Sequence, residues 1–417
     1  MDPAFTAEGG RGGEAPGRAL LARLRDPPWA VVIALCAGIL SLRRAEAVTN
    51  PQFWAEDVNF YSEARLYGWH AFLRPLAGYL HMVARAIAAI AARVDPAYAP
   101  AVFVCGAALA TLYVSGRTLS RRCPLPRFCG LFALAVVLVP DTHEVLLNLV
   151  NLQWVLAAGL VLLLISEDPK DGLEWTHDAL AGLALGLTGP FCVILSPLFV
   201  ARAAGRKSRA SVALAAMIVG CAVIQESLVL AAARTVVDPP LNTVPFADIL
   251  PLIGRRIGGS VVLGSLLSGD TDQVIGAVAG VGTLAGIGFL ALRPGPHRRE
   301  RVVLGLVFAV LLASVLYRVR YTLGLFFVPH TRARYVYLPH LIAIWLLLLN
   351  TLQGGRVARI CAVLLALGLL LNLPTYREAA YEDMHWASYA ARIRAGEAVS
   401  VPTNPPGWFL VLPARDK

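Results

Sequence analysis

Apolar runs close to the roughly 20 residues that a helix needs to cross about 30 Å of hydrocarbon recur along almost the whole chain, as in "DALAGLALGLTGPFCVILSPLFVARA" at 178–203 and "LIAIWLLLLN" at 341–350. In lipid such segments must satisfy their own backbone hydrogen bonds, which selects helices. The 417 residues are 57% hydrophobic, with a mean hydropathy of +0.63. Only 15% are charged, against roughly 25% in soluble domains. The expected fold class is therefore an all-α polytopic membrane protein, with a cytoplasmic N-terminal tail at 1–27, a transmembrane domain at 28–375, a short outer C-terminal tail at 376–417 and no appended soluble catalytic domain.

The net charge of +10 comes from 34 Arg and 3 Lys against 27 acids. The basic residues fall in short loops between apolar runs, which is a topology signal, so nucleic acid is excluded as a partner. The seven Cys lack metal-ligand spacing and read as small apolar fillers. No small-x-small cleavage site follows the first run, which is read as an uncleaved helix at about 28–46. With Arg11, Arg18, Arg23 and Arg25 cytoplasmic, that helix delivers "NPQFWAEDVNFY" at 50–61 to the outside. The run at 71–94 carries Arg74, His81, Arg85 and Arg93 and is read as an amphipathic helix at the outer interface. Spans follow at about 98–116, 127–141, 145–166, 178–203 (broken at Thr188-Gly189-Pro190), 209–232, 272–293, 301–320, 335–351 and 356–373, about eleven crossings in all when the broken run crosses twice. "GRKSR", "RPGPHRRER" and "QGGRVAR" then share the cytoplasmic side, and 47–97, 233–271, 321–334 and 374–417 lie outside.

Unusual polar residues gather on the outer side. Glu56 and Asp57 are adjacent and so point in different directions; they are either a helix cap or a working pair beside Trp54. In "PDTHEVLLNLVNLQW", Glu144, Asn148 and Asn151 are spaced i, i+4, i+7. That places a carboxylate and two amides on one face of the expected span, with Trp154 near it and Asp141 and His143 at its mouth. Such a stripe is expected to face a cavity or a neighbouring helix. Arg318, Arg320, Arg332 and Arg334, followed by Tyr335, put cationic forks suited to phosphate on the side where positive charge is disfavoured.

An acidic pair in the first outer loop, directly after helix 1 and followed by interfacial helices, resembles the acidic motif of the GT-C superfamily of membrane glycosyltransferases, here in the form Glu56-Asp57-Val58. The paired short helices around Thr188-Gly189-Pro190 and the second outer acid in "PDTHE" are similar to that family too, over roughly 28–375. The resemblance implies a GT-C-like bundle in a bacterial plasma membrane with its site facing the periplasm. The donor would be a polyprenyl-phosphate-linked sugar and the acceptor a lipid-linked or envelope glycan, with membrane lipids around the site. Asp57 or Glu56 would be the base of an inverting transfer, Asp57 slightly preferred, and Arg332 and Arg334 would steady the departing phosphate. Trp54, His143, Glu144, Asn148, Asn151, Trp154 and Tyr335 would contact substrate. Some members of the family need Mg2+ or Mn2+ and others do not; Glu56, Asp57, Asp141 and Glu144 are the candidate ligands. The rival readings are a transporter or flippase, or a polymerase, of lipid-linked glycans.

Overall fold

The structure, a computed structural model, describes residues 27–126, 128–233, 246–264, 273–320 and 332–414. The N-terminal arginines, Arg127 and parts of the expected outer segments 233–271 and 321–334 lie outside the described residues. Helices of seven residues or more are α1 (Trp29–Arg43), α2 (Asp57–Tyr67), α3 (Met82–Ala91), α4 (Ala99–Thr118), α5 (Leu131–Val137), α6 (Leu152–Ile165), α7 (Gly172–Gly186), α8 (Phe191–Arg206), α9 (Arg209–Ala233), α10 (Phe246–Ile253), α11 (Gln273–Leu292), α12 (Arg298–Val319), α13 (Arg334–Thr351), α14 (Gly355–Leu371) and α15 (Trp386–Arg394).

Helix α6 is apolar beyond Gln153 in its first turn and buried from end to end, and α13 is buried from Val336 to Asn350 apart from the partly covered Ile344. A helix hydrophobic all round belongs at the centre of a bundle. The peripheral helices show the reverse of a soluble surface: α11 exposes Val274, Ile275, Val278, Val281 and Phe289, and α14 exposes Ile360, Val363, Leu369 and Leu370. Contiguous apolar surface of this kind needs an apolar solvent. Among the described residues, four helices are long and apolar enough to cross a membrane, over Pro96–Thr118, Arg209–Ala232, Gln273–Leu292 and Arg298–Arg318. The chain is a mostly helical membrane protein.

Side-chain contacts sort the helix ends into two poles, here called upper and lower. The lower pole joins Arg122 to Asp178, Asp168 to Arg202 and Arg206, and Arg301 to Asn350. The upper pole joins the end of α1 to residues 137–143 and 378, and Trp386 of α15 to the carbonyl of Pro96.

Three expectations need correction. The runs at 127–141 and 145–166 are not two full spans: α5 has seven residues and α6 fourteen, and 138–151 between them is an irregular, largely buried loop. Asp141 and Leu147 take left-handed φ values of 54° and 62° there, which ends any helical path. Asn148 and Asn151 hence form no stripe on a helix face. The chain is also not purely helical, because Val399–Thr403 and Trp408–Leu412 pair as an antiparallel hairpin, β1 and β2, and β2 packs against α2. The break at 187–190 does separate α7 from α8. Gln225 of α9 stitches it to the loop before α3, accepting from Leu80 N at 2.8 Å and donating to the Leu80 and Gly189 carbonyls at 3.2 Å. Gly189 has φ +82° and packs on Gln153, so a Cβ there would collide with that side chain.

Candidate functional site

The buried loop 138–151 and the start of α2 build one another. Asp57, at the first turn of α2, accepts hydrogen bonds from Leu149 N at 3.1 Å and Val150 N at 2.7 Å and is 2% exposed. Burial raises its pKa to about 7 against the pull of those two amides, with the neighbouring Glu56 charge adding to the rise. Asn148 and Asn151 hold the loop from inside: both side-chain amides donate to the Glu144 carbonyl, at 2.9 and 2.5 Å, and Asn148 Oδ1 accepts from Asn151 N at 3.0 Å. Short polar side chains that bond nearby backbone compete with helix, which is why this segment turns.

Folded in this way, the loop presents Glu144 to the first turn of α13. Its two oxygens accept from the Arg334 backbone N–H and guanidinium, each at 3.2 Å. A carboxylate at a helix N-terminus is favoured by both the orphan N–H groups and the dipole. Glu56 and Glu144 both act electrostatically on the Arg334 guanidinium. Glu56 is half-buried, and its carboxylate makes no hydrogen bond or ion pair among the described residues. Beside Arg334, Tyr335 meets Trp154 edge-on at 5.0 Å, and Trp154 meets Phe191 at 4.9 Å. Trp154 is 9% exposed and its indole N–H has no partner among the described residues. Gln153 lies 3.5 Å from the Tyr79 hydroxyl, and Tyr79 feels Arg318, Arg334 and Tyr335. Next to it, His81 is buried between Phe60 and Tyr79; burial and then the Arg85 charge push it down to about 3, so it is neutral.

Other expected site residues go elsewhere. Asp141 pairs with Arg256 at 3.2 Å, and His143 Nε2 lies 3.8 Å from Asp141. Trp54 stacks on Tyr381 at 5.0 Å, with the Arg44 guanidinium 4.2 Å from the Tyr381 ring centre. Arg332 has φ +55°, and its side chain makes no hydrogen bond or ion pair among the described residues. The candidate metal ligands do not converge. Asp57 is held by backbone amides, Glu144 by Arg334 and Asp141 by Arg256. Among the described residues no three acids, His or Cys are grouped to hold an ion, so the donor set does not fit the divalent cation.

Sequence reasoning passed over the frame of this pole. Arg43 and Arg44, at the end of α1, are buried and share Glu378 at 3.2 and 2.7 Å; Arg43 also donates to the Val137 and Val139 carbonyls at 3.0 Å, and Arg44 to the His143 carbonyl at 2.7 Å. Thr142 closes the cluster on Glu378 at 2.8 Å. Two arginines at the helix end opposite to the basic loops were the available signal. The tail folds back as well: Asn404 bridges Trp54, and its side chain bonds both backbone groups of Glu382 at 2.9 Å. The chain matches no family model, no curated protein and no solved structure.

Proposed function

We propose that this protein is a membrane glycosyltransferase of GT-C type that moves a sugar from a polyprenyl-phosphate donor to a cell-envelope glycan or glycolipid. In this reading the upper pole faces the periplasm of a bacterial plasma membrane. The observation that carries it is Arg334 at the first turn of α13, held by the Glu144 carboxylate at 3.2 Å and within electrostatic reach of Glu56, whose own carboxylate is unbonded among the described residues. Transfer needs those two functions side by side. An acceptor hydroxyl oxygen attacks the anomeric carbon, its proton passes to the Glu56 carboxylate, and the carbon–oxygen bond to phosphate breaks with the electron pair staying on the phosphate oxygen. Arg334, with Arg332 two residues before it, meets the negative charge that appears there. Trp154 and Tyr335 offer an aromatic wall for a sugar face, and the Trp154 N–H offers a donor to a hydroxyl.

Glu56 rather than Asp57 is the base in this account. A base must reach the proton it takes, and Asp57 is committed to the Leu149 and Val150 amides while Glu56 is not. Asp57 is then a positioning residue that sets the 138–151 loop and, through it, Glu144 and Arg334. The test is to incubate the purified protein with polyprenyl-phosphate hexoses and envelope glycolipids and to follow transfer in wild type, Glu56→Gln and Arg334→Gln. Transfer lost in both variants supports the reading. Transfer undiminished in Glu56→Gln overturns the base, and movement of the labelled donor across proteoliposomes without any transfer would make the protein a transporter.

A further inference from the structure

A groove at the lower pole, remote from Glu56 and Arg334, has a different chemistry. Helices α8 and α12 run past each other there with the end of α6 behind them, enclosing a cavity of about 260 Å³. Its walls are apolar, from Leu198 and Ala201 on α8 to Val303 and Leu306 on α12. Its rim is cationic, with Arg206 at the end of α8 and Arg299 at the start of α12. From Arg299 to Leu306, and from Gly205 back to Leu198, is seven residues each, about 10 Å of helix. The groove thus descends from a charged rim into an apolar slot between two helices, one of which is long and apolar enough to cross a membrane.

The rim charge is in surplus. Arg206 already bonds the Ser166 carbonyl and Asp168 at 2.8 Å, but its second terminal nitrogen has only a 3.5 Å contact to the Ile165 carbonyl. Arg299 is exposed, and its side chain makes no hydrogen bond or ion pair among the described residues. Glu300, 3.9 Å from His297 Nδ1, is the acid in the groove lining, set against Arg206, Arg299 and the adjacent Lys207 and Arg298. Gly205 adds room: a Cβ built on it meets nothing within 4 Å.

We infer that this groove binds an anionic glycerophospholipid, its phosphate held by Arg299 and Arg206 and the upper part of an acyl chain lying between α8 and α12. Guanidinium forks match phosphate oxygens, and a basic pocket between helix ends attracts anionic head groups. The site rests on the membrane reading alone and is independent of the transferase proposal.

The test uses the full chain in nanodiscs and native mass spectrometry after release, comparing dioleoyl phosphatidylglycerol with dioleoyl phosphatidylcholine, with glycerol 3-phosphate as a soluble competitor. Retention of phosphatidylglycerol is expected to exceed that of phosphatidylcholine by about tenfold, the size of effect one charge-assisted contact supplies. Arg299→Gln should bring that ratio below about twofold. Gly205→Leu should fill the slot and abolish retention; the change favours helix, so thermal unfolding should be unaltered or raised. Equal retention of the two lipids, a preference unchanged in either variant, or glycerol 3-phosphate displacing the lipid at equal concentration would each overturn the inference, the last by showing a soluble-anion site.

Discussion

At the lower pole, Asp168 receives the Arg202 and Arg206 guanidiniums and the Ser208 and Ser211 hydroxyls, and Arg122 clasps both oxygens of Asp178. Burial alone would raise the Asp168 carboxyl, yet the Ser208, Ser211 and Arg206 hydrogen bonds and the Arg202 charge hold it well below the usual carboxylate range. At the upper pole, Arg43, Arg44, Glu378 and Asp57 are closed in the same way, but Glu56 stands beside them with its carboxylate unbonded among the described residues. The ion pairs of both clusters join helix ends. The difference sets apart Glu56, unbonded among the described residues, and Arg334, which Glu144 holds at the first turn of α13.

The largest expected effect falls on the closed part of the upper pole. Glu378→Ala leaves two buried guanidiniums, each 3% exposed, without their shared carboxylate, and should cost roughly 3–5 kcal/mol, read by chemical unfolding in detergent. Asp178→Ala at the lower pole should cost less, about 1–3 kcal/mol, because Arg122 keeps the Glu167 carbonyl at 2.8 Å and Glu174 at 3.7 Å. Equal losses at the two poles would break that ranking.

Asp57→Ala strands the Leu149 and Val150 amides and should also cost about 1–3 kcal/mol. It should lower transfer as well, by letting the loop that carries Glu144 relax. The pH dependence has a definite sign. The Asp57 carboxyl titrates near 7 in the folded chain and near 3.8 when unfolded. Between those values the folded state keeps a proton that the unfolded state releases, so this group's contribution falls as pH rises through the window, by up to about 1.4 kcal/mol per pH unit, and levels off above it. Asp57→Asn should flatten that slope in unfolding curves taken from pH 4 to 7; an unchanged slope would assign the titration to another group. The smallest stability effect is expected for Glu56→Gln, within about 0.5 kcal/mol of wild type.

Helix positions were largely legible in the sequence because uniform apolar runs in a bilayer leave the backbone no alternative. The runs at 98–116 and 272–293 correspond to Ala99–Thr118 and Gln273–Leu292. Legibility failed where side chains compete with the backbone. In 138–151 the i, i+4, i+7 spacing of Glu144, Asn148 and Asn151 fits a helix, but Pro140 lacks an N–H and the two asparagines bond the Glu144 carbonyl instead. The C-terminal hairpin carried a readable signal, "VSVPTNPPGWFLVL", two β-rich stretches around an Asn-Pro-Pro-Gly turn. For the site, residue types pointed to Glu56, Glu144 and Arg334 together. Only the loop geometry separates Glu56 from Asp57, since adjacent acids differ in their partners and those partners, Leu149 and Val150, lie more than 90 residues away.

The most direct test of the account measures transfer and unfolding on the same preparations of wild type, Glu56→Gln and Asp57→Asn. Transfer from a polyprenyl-phosphate hexose should drop by about two orders of magnitude or more in Glu56→Gln with stability unchanged. In Asp57→Asn, stability and activity should fall together, with part of the transfer retained. A Glu56→Gln protein that transfers at the wild-type rate, beside a stable Asp57→Asn protein that does not transfer, would contradict the division of roles between the two carboxylates.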